Sequence, residues 1–232
     1  MQRKLWMIWV GSTAVGLGLG GGAAEFVSSA IEGQNGLNNA LFSPRWQISV
    51  GFSFGAPALL AQYFVLRQFV PESIRWLAPA TIGLAIGAVG GAFAGMAIVT
   101  WMLVLVAGCQ LTATDVCLAS AMFLLFPAAG GSGGAVVGGL MGTLLRLNDR
   151  EWLQDWTWPL VRAWAGSGAT FAVLVLLLLT EQSLNRSGLL DATASSASIS
   201  LAGTAGVAAG LVGGALSARQ FVLAVGRHRP TG

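Results

Sequence analysis

The sequence is poor in charge. Of its 232 residues only 9% are Asp, Glu, Lys or Arg, against roughly 25% in a soluble globular domain. The few charges are clumped: none lies between Arg75 and Asp115, between Asp115 and Arg146, or between Arg162 and Glu181. Apolar stretches longer than about 18 residues read as membrane spans. A water-soluble domain is thereby excluded, and a single all-α, multi-pass integral membrane domain over residues 1–232 is expected. The mean hydropathy of +0.73 agrees.

Histidine is almost missing. The only one is His228, in the basic tail "GRHRPTG". No His/Asp/Glu cluster offers metal ligands, no nucleophile sits beside a base, and no phosphate loop follows a strand. Catalytic and metal residues are therefore assigned nowhere, and an enzyme is not expected. A multi-chlorophyll antenna is disfavoured for the same reason, because such sites usually want imidazole ligands. No cofactor is assigned, although a bound lipid or pigment would fit a flat wall of small residues. Cysteine is scarce too. Cys109 and Cys117 bracket "QLTATDV"; an oxidising outer side would allow a short disulfide, and two inert apolar thiols are the alternative.

Six spans are read at about 5–29, 48–70, 75–108, 116–147, 158–180 and 197–226. The first has the basic start and small residues of a signal peptide, but it is taken as a retained helix. The third and fourth exceed a bilayer core of roughly 30 Å at about 1.5 Å per residue, so they tilt, break or project. Pro127 with "AAGGSGG" marks the expected break or kink in the fourth.

Ten of the twelve basic residues fall on one side of this topology: Arg3, Lys4, Arg67, Arg75, Arg146, Arg150, Arg162, Arg219, Arg227 and Arg229. Only Arg45 and Arg186 fall on the other. Lys and Arg accumulate on the cytoplasmic side, so both termini are expected there, in a bacterial inner membrane or a thylakoid. The net charge of +3 is a topology signal and gives no reason to expect nucleic acid. Trp6, Trp9, Trp76, Trp152, Trp156 and Trp158 fall near the inner boundary and Trp46 and Trp101 near the outer one, as interfacial indoles would. The segment "NDREWLQDWTW" reads either as a short interfacial helix or as a loop with anchoring aromatics.

The chain also reads as three helical hairpins, about 5–70, 75–147 and 158–226. The first helix of each opens with Trp and moves into small residues. The second ends in a small-rich run closed by Arg67, Arg146 or Arg219. In this respect "AQYFVLRQFVPESIRWLAPATIGLAIG" and "GLVGGALSARQFVL" resemble a pattern in polytopic membrane proteins of unassigned role found in cyanobacteria and Chloroflexi. There a Gln-x-x-x-Leu-Arg end leads through a short turn to a Trp and a glycine-rich helix. The resemblance covers mainly residues 55–95 and 206–225. It implies a bacterial membrane protein and carries no reaction or ligand.

Glycine is abundant, with 33 residues. In "GLAIGAVGGAFAG", Gly83, Gly87, Gly91 and Gly95 recur every four residues. Gly130, Gly134, Gly138 and Gly142 repeat the spacing, as do Gly206, Gly210, Gly214 and Ala218, and Ser12, Gly16, Gly20, Ala24 and Ser28. Such spacing keeps these positions on one slowly drifting face. Without a hydrophobic force between helices in lipid, close contact across small residues drives association. Glycine-zipper packing is therefore expected to place spans one, three, four and six in a tight interior, with span five and its "FAVLVLLLLT" facing lipid. The stripes serve either packing within the chain or a partner subunit, lipid or pigment.

Intramembrane polar residues are where function is sought first. Glu25, Gln62, Arg67 and Arg162 are the candidates. Arg67 and Arg162 are placed to snorkel, and Glu25 with Gln62 would line a small polar site between repeats. Two functions compete. One is a non-catalytic integral subunit or assembly factor of a larger membrane complex, photosynthetic complexes included, with other membrane subunits and the bilayer as partners. The other is a small-molecule transporter or membrane substrate-binding component.

Overall fold

A computed structural model describes residues 2–35, 44–70, 72–110, 115–147, 153, 155–185 and 194–227. It contains six helices: α1 (Gln2–Asn35), α2 (Pro44–Arg67), α3 (Ile74–Gln110), α4 (Asp115–Arg146), α5 (Thr157–Asn185) and α6 (Ala194–Arg227). No strand occurs among the described residues. Five helices (α1, α2, α3, α4 and α6) are long and apolar enough to cross a bilayer within those residues. The protein is an integral membrane protein.

Backbone groups in lipid must bond within their own segment, which makes helices the only open-ended spanning element. Hydroxyl side chains follow the same rule. Thr13 donates to the Trp9 carbonyl, Thr81 to Leu77, Thr143 to Gly139, Thr170 to Gly166 and Ser217 to Gly213. Each hydroxyl is thereby satisfied inside its own helix.

α4 is continuous through Pro127 and the glycines after it. Of the expected break or kink, no break occurs, and α3 is likewise unbroken over its 37 residues. At about 1.5 Å per residue α3 is roughly 55 Å long, so it tilts or projects beyond the apolar core.

The helices form a ring in chain order. Each packs on its sequence neighbours, and α1 and α6 close the circle. Adjacent helices run antiparallel, so the termini and the α2–α3 and α4–α5 connections share one end, which carries most of the described basic residues. We call it the basic end. The ring has no central helix. α5 packs closely against α4 and α6, while Leu177 in its aliphatic run is exposed. Its own small residues Ala163, Gly166, Ser167 and Gly168 account for the close packing.

Around the ring each helix offers glycines to the next. A Cβ on Gly16 of α1 would stand 2.5 Å from Ala58 Cα of α2, and one on Gly51 would stand 2.6 Å from Ala88 Cβ of α3. Gly83, Gly87 and Gly91 of α3 seat Met141, Val137 and Gly133 of α4, each four residues further back. Gly130, Gly134 and Gly138 of α4 lie against the carbonyls of Gly168, Trp164 and Leu160, and Gly142 lies against Thr157. Gly166 of α5 receives Leu216 of α6. Gly206, Gly210 and Gly214 of α6 lie against Leu17, Ala14 and Val10 of α1. α1 uses two glycine faces rather than one, since Gly18 and Gly21 meet α6 while Gly16 and Gly20 meet α2.

Large residues point the other way. Val15, Leu19, Ile82, Ile86, Phe64, Phe93 and Leu211 are exposed. In water such a belt would drive association; in a bilayer it is the lipid-facing surface.

At the basic end the core is aromatic. Trp9 stacks on Phe221 at 4.5 Å between ring centroids, and Trp156 lies 5.7 Å from Trp9 and 6.1 Å from Trp76. All three indoles are fully buried. Trp9, Trp76 and Trp156 are thus core residues, not interfacial anchors. Trp6, Trp158 and Trp101 are exposed, as anchors would be. The short turn after α2 carries Val70, also fully buried, into this core. Trp152 and His228 lie outside the described residues, as do the side-chain surroundings of Trp46, Gly95, Cys109 and Cys117.

Candidate binding site inside the helical ring

The close approach of neighbouring backbones leaves space where the ring faces itself. Between α2, α3, α4 and α5 lies a chamber of about 240 Å³. Phe54 of α2 and Phe171 of α5 meet there edge to face, with centroids 4.9 Å apart. Leu84, Ala88 and Val137 supply the remaining apolar wall, and Gly91, Gly130, Gly133 and Gly134 expose bare backbone. No lining residue is charged. Ala88 is fourteen residues into α3, so the chamber sits about 20 Å from the basic end, near mid-membrane.

A second, much smaller cavity of about 20 Å³ lies nearer the basic end. It is bordered by α1, α2, α5 and α6, and its mostly apolar wall carries four polar side chains. Thr13, Gln62, Ser167 and Ser217 line it, and all four are buried. Gln62 Nε2 donates to Thr13 Oγ1 at 3.0 Å. Trp9 Nε1 donates to Ser217 Oγ at 3.0 Å, and Ser167 Oγ donates to the Ala209 carbonyl at 2.9 Å. These bonds tie α1 to α2, α1 to α6 and α5 to α6.

Trp164 lines both cavities. Its indole leaves α5 and crosses the ring toward α2. The Cη2 atom stands 3.0 Å from the place a Cβ on Gly55 would occupy. The indole thus borders both the apolar chamber and the polar pocket.

Of the four polar residues singled out from sequence, only Gln62 is buried. Arg67 and Arg162 are exposed near the basic end, in keeping with snorkelling. Glu25 is half-buried on α1, twelve residues beyond Thr13 and about 18 Å further along the axis. The four do not form one site. Gln62 does line a small polar pocket, but its companions are Thr13, Ser167 and Ser217. These hydroxyls, and Trp164, were missed because Ser and Thr are ordinary in small-residue helix faces. Only their convergence from four helices distinguishes them, and a single sequence does not display that. Among the described residues, Trp76 Nε1, Trp156 Nε1 and Ser73 Oγ are buried without a hydrogen-bond partner.

Comparison with family models, curated proteins and solved structures found no match.

Proposed function

We propose that the protein is a non-catalytic membrane component that binds a small, largely apolar molecule inside its helical ring, as a carrier or substrate-binding unit would. The observation that carries this reading is the 240 Å³ chamber beside a buried polar pocket. Ligand sites are typically apolar with a few placed polar groups, and that description fits the two cavities together.

The alternative, a subunit or assembly factor of a larger complex, drew its support from more glycine faces than one chain was expected to use. Those faces seat sister helices. A partner subunit would have to dock on the exposed belt of large side chains instead.

The hairpin-repeat reading gains support from register. Gly16 meets Ala58 and Gly87 meets Val137, each nine residues before the closing Arg67 or Arg146. Gly51 meets Ala88 and Gly130 meets Gly168, positions related by 79 and 80 residues. The chamber lies where these two equivalent layers adjoin. The glycine contacts act as zippers in this scheme, and the basic end faces the cytoplasm with both termini.

Native mass spectrometry of mildly extracted protein tests the reading. Wild type should carry one small adduct, and Ala172→Phe, which fills the chamber, should lose it while remaining monodisperse. Wild type without an adduct, but with a stoichiometric second protein chain, would favour the complex-subunit reading.

A further inference from the structure

The polar pocket has hydrogen-bonding capacity of one kind left over. Thr13 Oγ1 gives its hydrogen to the Trp9 carbonyl and accepts from Gln62. Ser217 Oγ gives its hydrogen to the Gly213 carbonyl and accepts from Trp9. Ser167 Oγ gives its hydrogen to the Ala209 carbonyl. Every hydroxyl hydrogen is therefore committed to backbone. Since Thr13 has no hydrogen to spare, Gln62 must turn its amide NH₂ toward it, leaving Oε1 directed elsewhere. What remains to accept is the Gln62 carbonyl oxygen, the lone pairs of Ser167 Oγ and one lone pair each on Thr13 Oγ1 and Ser217 Oγ; Gln62 keeps its second amide hydrogen to donate. The pocket mainly accepts, and it can give back one hydrogen.

Its volume of about 20 Å³ exceeds the roughly 10–15 Å³ needed for one water-sized group. No charged side chain lines it, and an ion there would meet no compensating charge. The group that matches is a neutral hydroxyl, which donates once and accepts once. Trp164 borders both pocket and chamber, and its indole N–H forms no hydrogen bond among the described residues. It is held by packing alone.

We infer that the two cavities are halves of one site for a neutral lipophilic alcohol or phenol. The apolar body occupies the chamber, and the hydroxyl passes Trp164 to reach Gln62 and Ser167. This assignment rests on the chamber being a ligand site, and it adds the chemical class.

The test uses the full-length protein in nanodiscs, with empty nanodiscs subtracting partition into lipid. Binding of 4-propylphenol is compared with that of 4-propyltoluene, which puts a methyl group where the hydroxyl was. The phenol should bind about tenfold more tightly, the worth of one well-made buried hydrogen bond. Gln62→Met and Ser167→Ala should each shrink that ratio toward one. Equal binding of the two probes to wild type would overturn the hydroxyl assignment while sustaining the ligand chamber. Failure of both to bind would overturn the chamber as well, as would a co-purified phospholipid chain that neither probe displaces. The wild-type comparison decides the matter even if a variant fails to fold.

Discussion

Trp164 and Gly55 meet across the interior of the ring, on helices that are not neighbours around it. The indole edge lies 3.0 Å from where a Gly55 Cβ would stand, and Leu84 Cδ1 lies at 2.5 Å. Both contacts are the far ends of side chains. Gly55→Ala should therefore fold, at a cost of no more than about 1.5 kcal/mol, and push Leu84 and Trp164 into the cavities. Its expected signature is weaker binding of 4-propyltoluene with a nearly unchanged thermal midpoint. Unchanged binding would remove Trp164 from the site.

The glycines of α4 separate packing from helix propensity. A Cβ on Gly134 would run into the Trp164 carbonyl, whereas one on Gly139 would find only Val161 Cγ2 at 3.9 Å. Both changes to Ala favour the helix intrinsically. Gly134→Ala should nonetheless destabilise by about 1–3 kcal/mol, because backbone must move. Gly139→Ala should stay within about 0.5 kcal/mol of wild type. Thermal unfolding in one detergent compares them; equal effects would contradict the packing assigned to α4 and α5.

The Trp9–Ser217 hydrogen bond joins α1 to α6 where the ring closes. Interhelical bonds in membranes average about 0.6 kcal/mol, with a ceiling near 1.7. A double-mutant cycle of Trp9→Phe and Ser217→Ala should give a coupling in that range. Zero coupling would mean that glycine packing and Trp9–Phe221 stacking hold the closure without this bond.

The ion pair between Arg227 and Asp155 spans 3.1 Å and is about half exposed on both sides. Exposed pairs contribute roughly 0–1 kcal/mol. Arg227→Ala should accordingly leave the thermal midpoint nearly unchanged, and a large drop would show that this contact does more than sit at the surface.

Much of the fold could be read from the chain because lipid enforces simple rules. Charge-free runs gave six helices close to their observed limits, and four-residue glycine spacing marked faces that do pack. Which helix each face meets was not legible, since Gly87 and Gly134 look alike in sequence and seat different neighbours. Pro127 misled, because a proline in a membrane helix need not break it. The tryptophans misled in part. Interfacial and core indoles share one composition, and only burial separates Trp156 from Trp158. Trp164 fell outside the interfacial scheme altogether, and it borders both cavities. Gln62 was found because it is polar and intramembrane. Thr13, Ser167 and Ser217 were not, because they line one pocket with Gln62 from positions up to 155 residues away in the chain.

The most direct measurement is a crystallographic density map of the protein extracted from its native membrane in mild detergent. A compact non-protein feature should occupy the chamber beside Phe54 and Phe171, separate from bilayer lipid, with its polar end directed past Trp164 toward Gln62. A collapsed chamber, or density continuous with an annular acyl chain, would contradict the account.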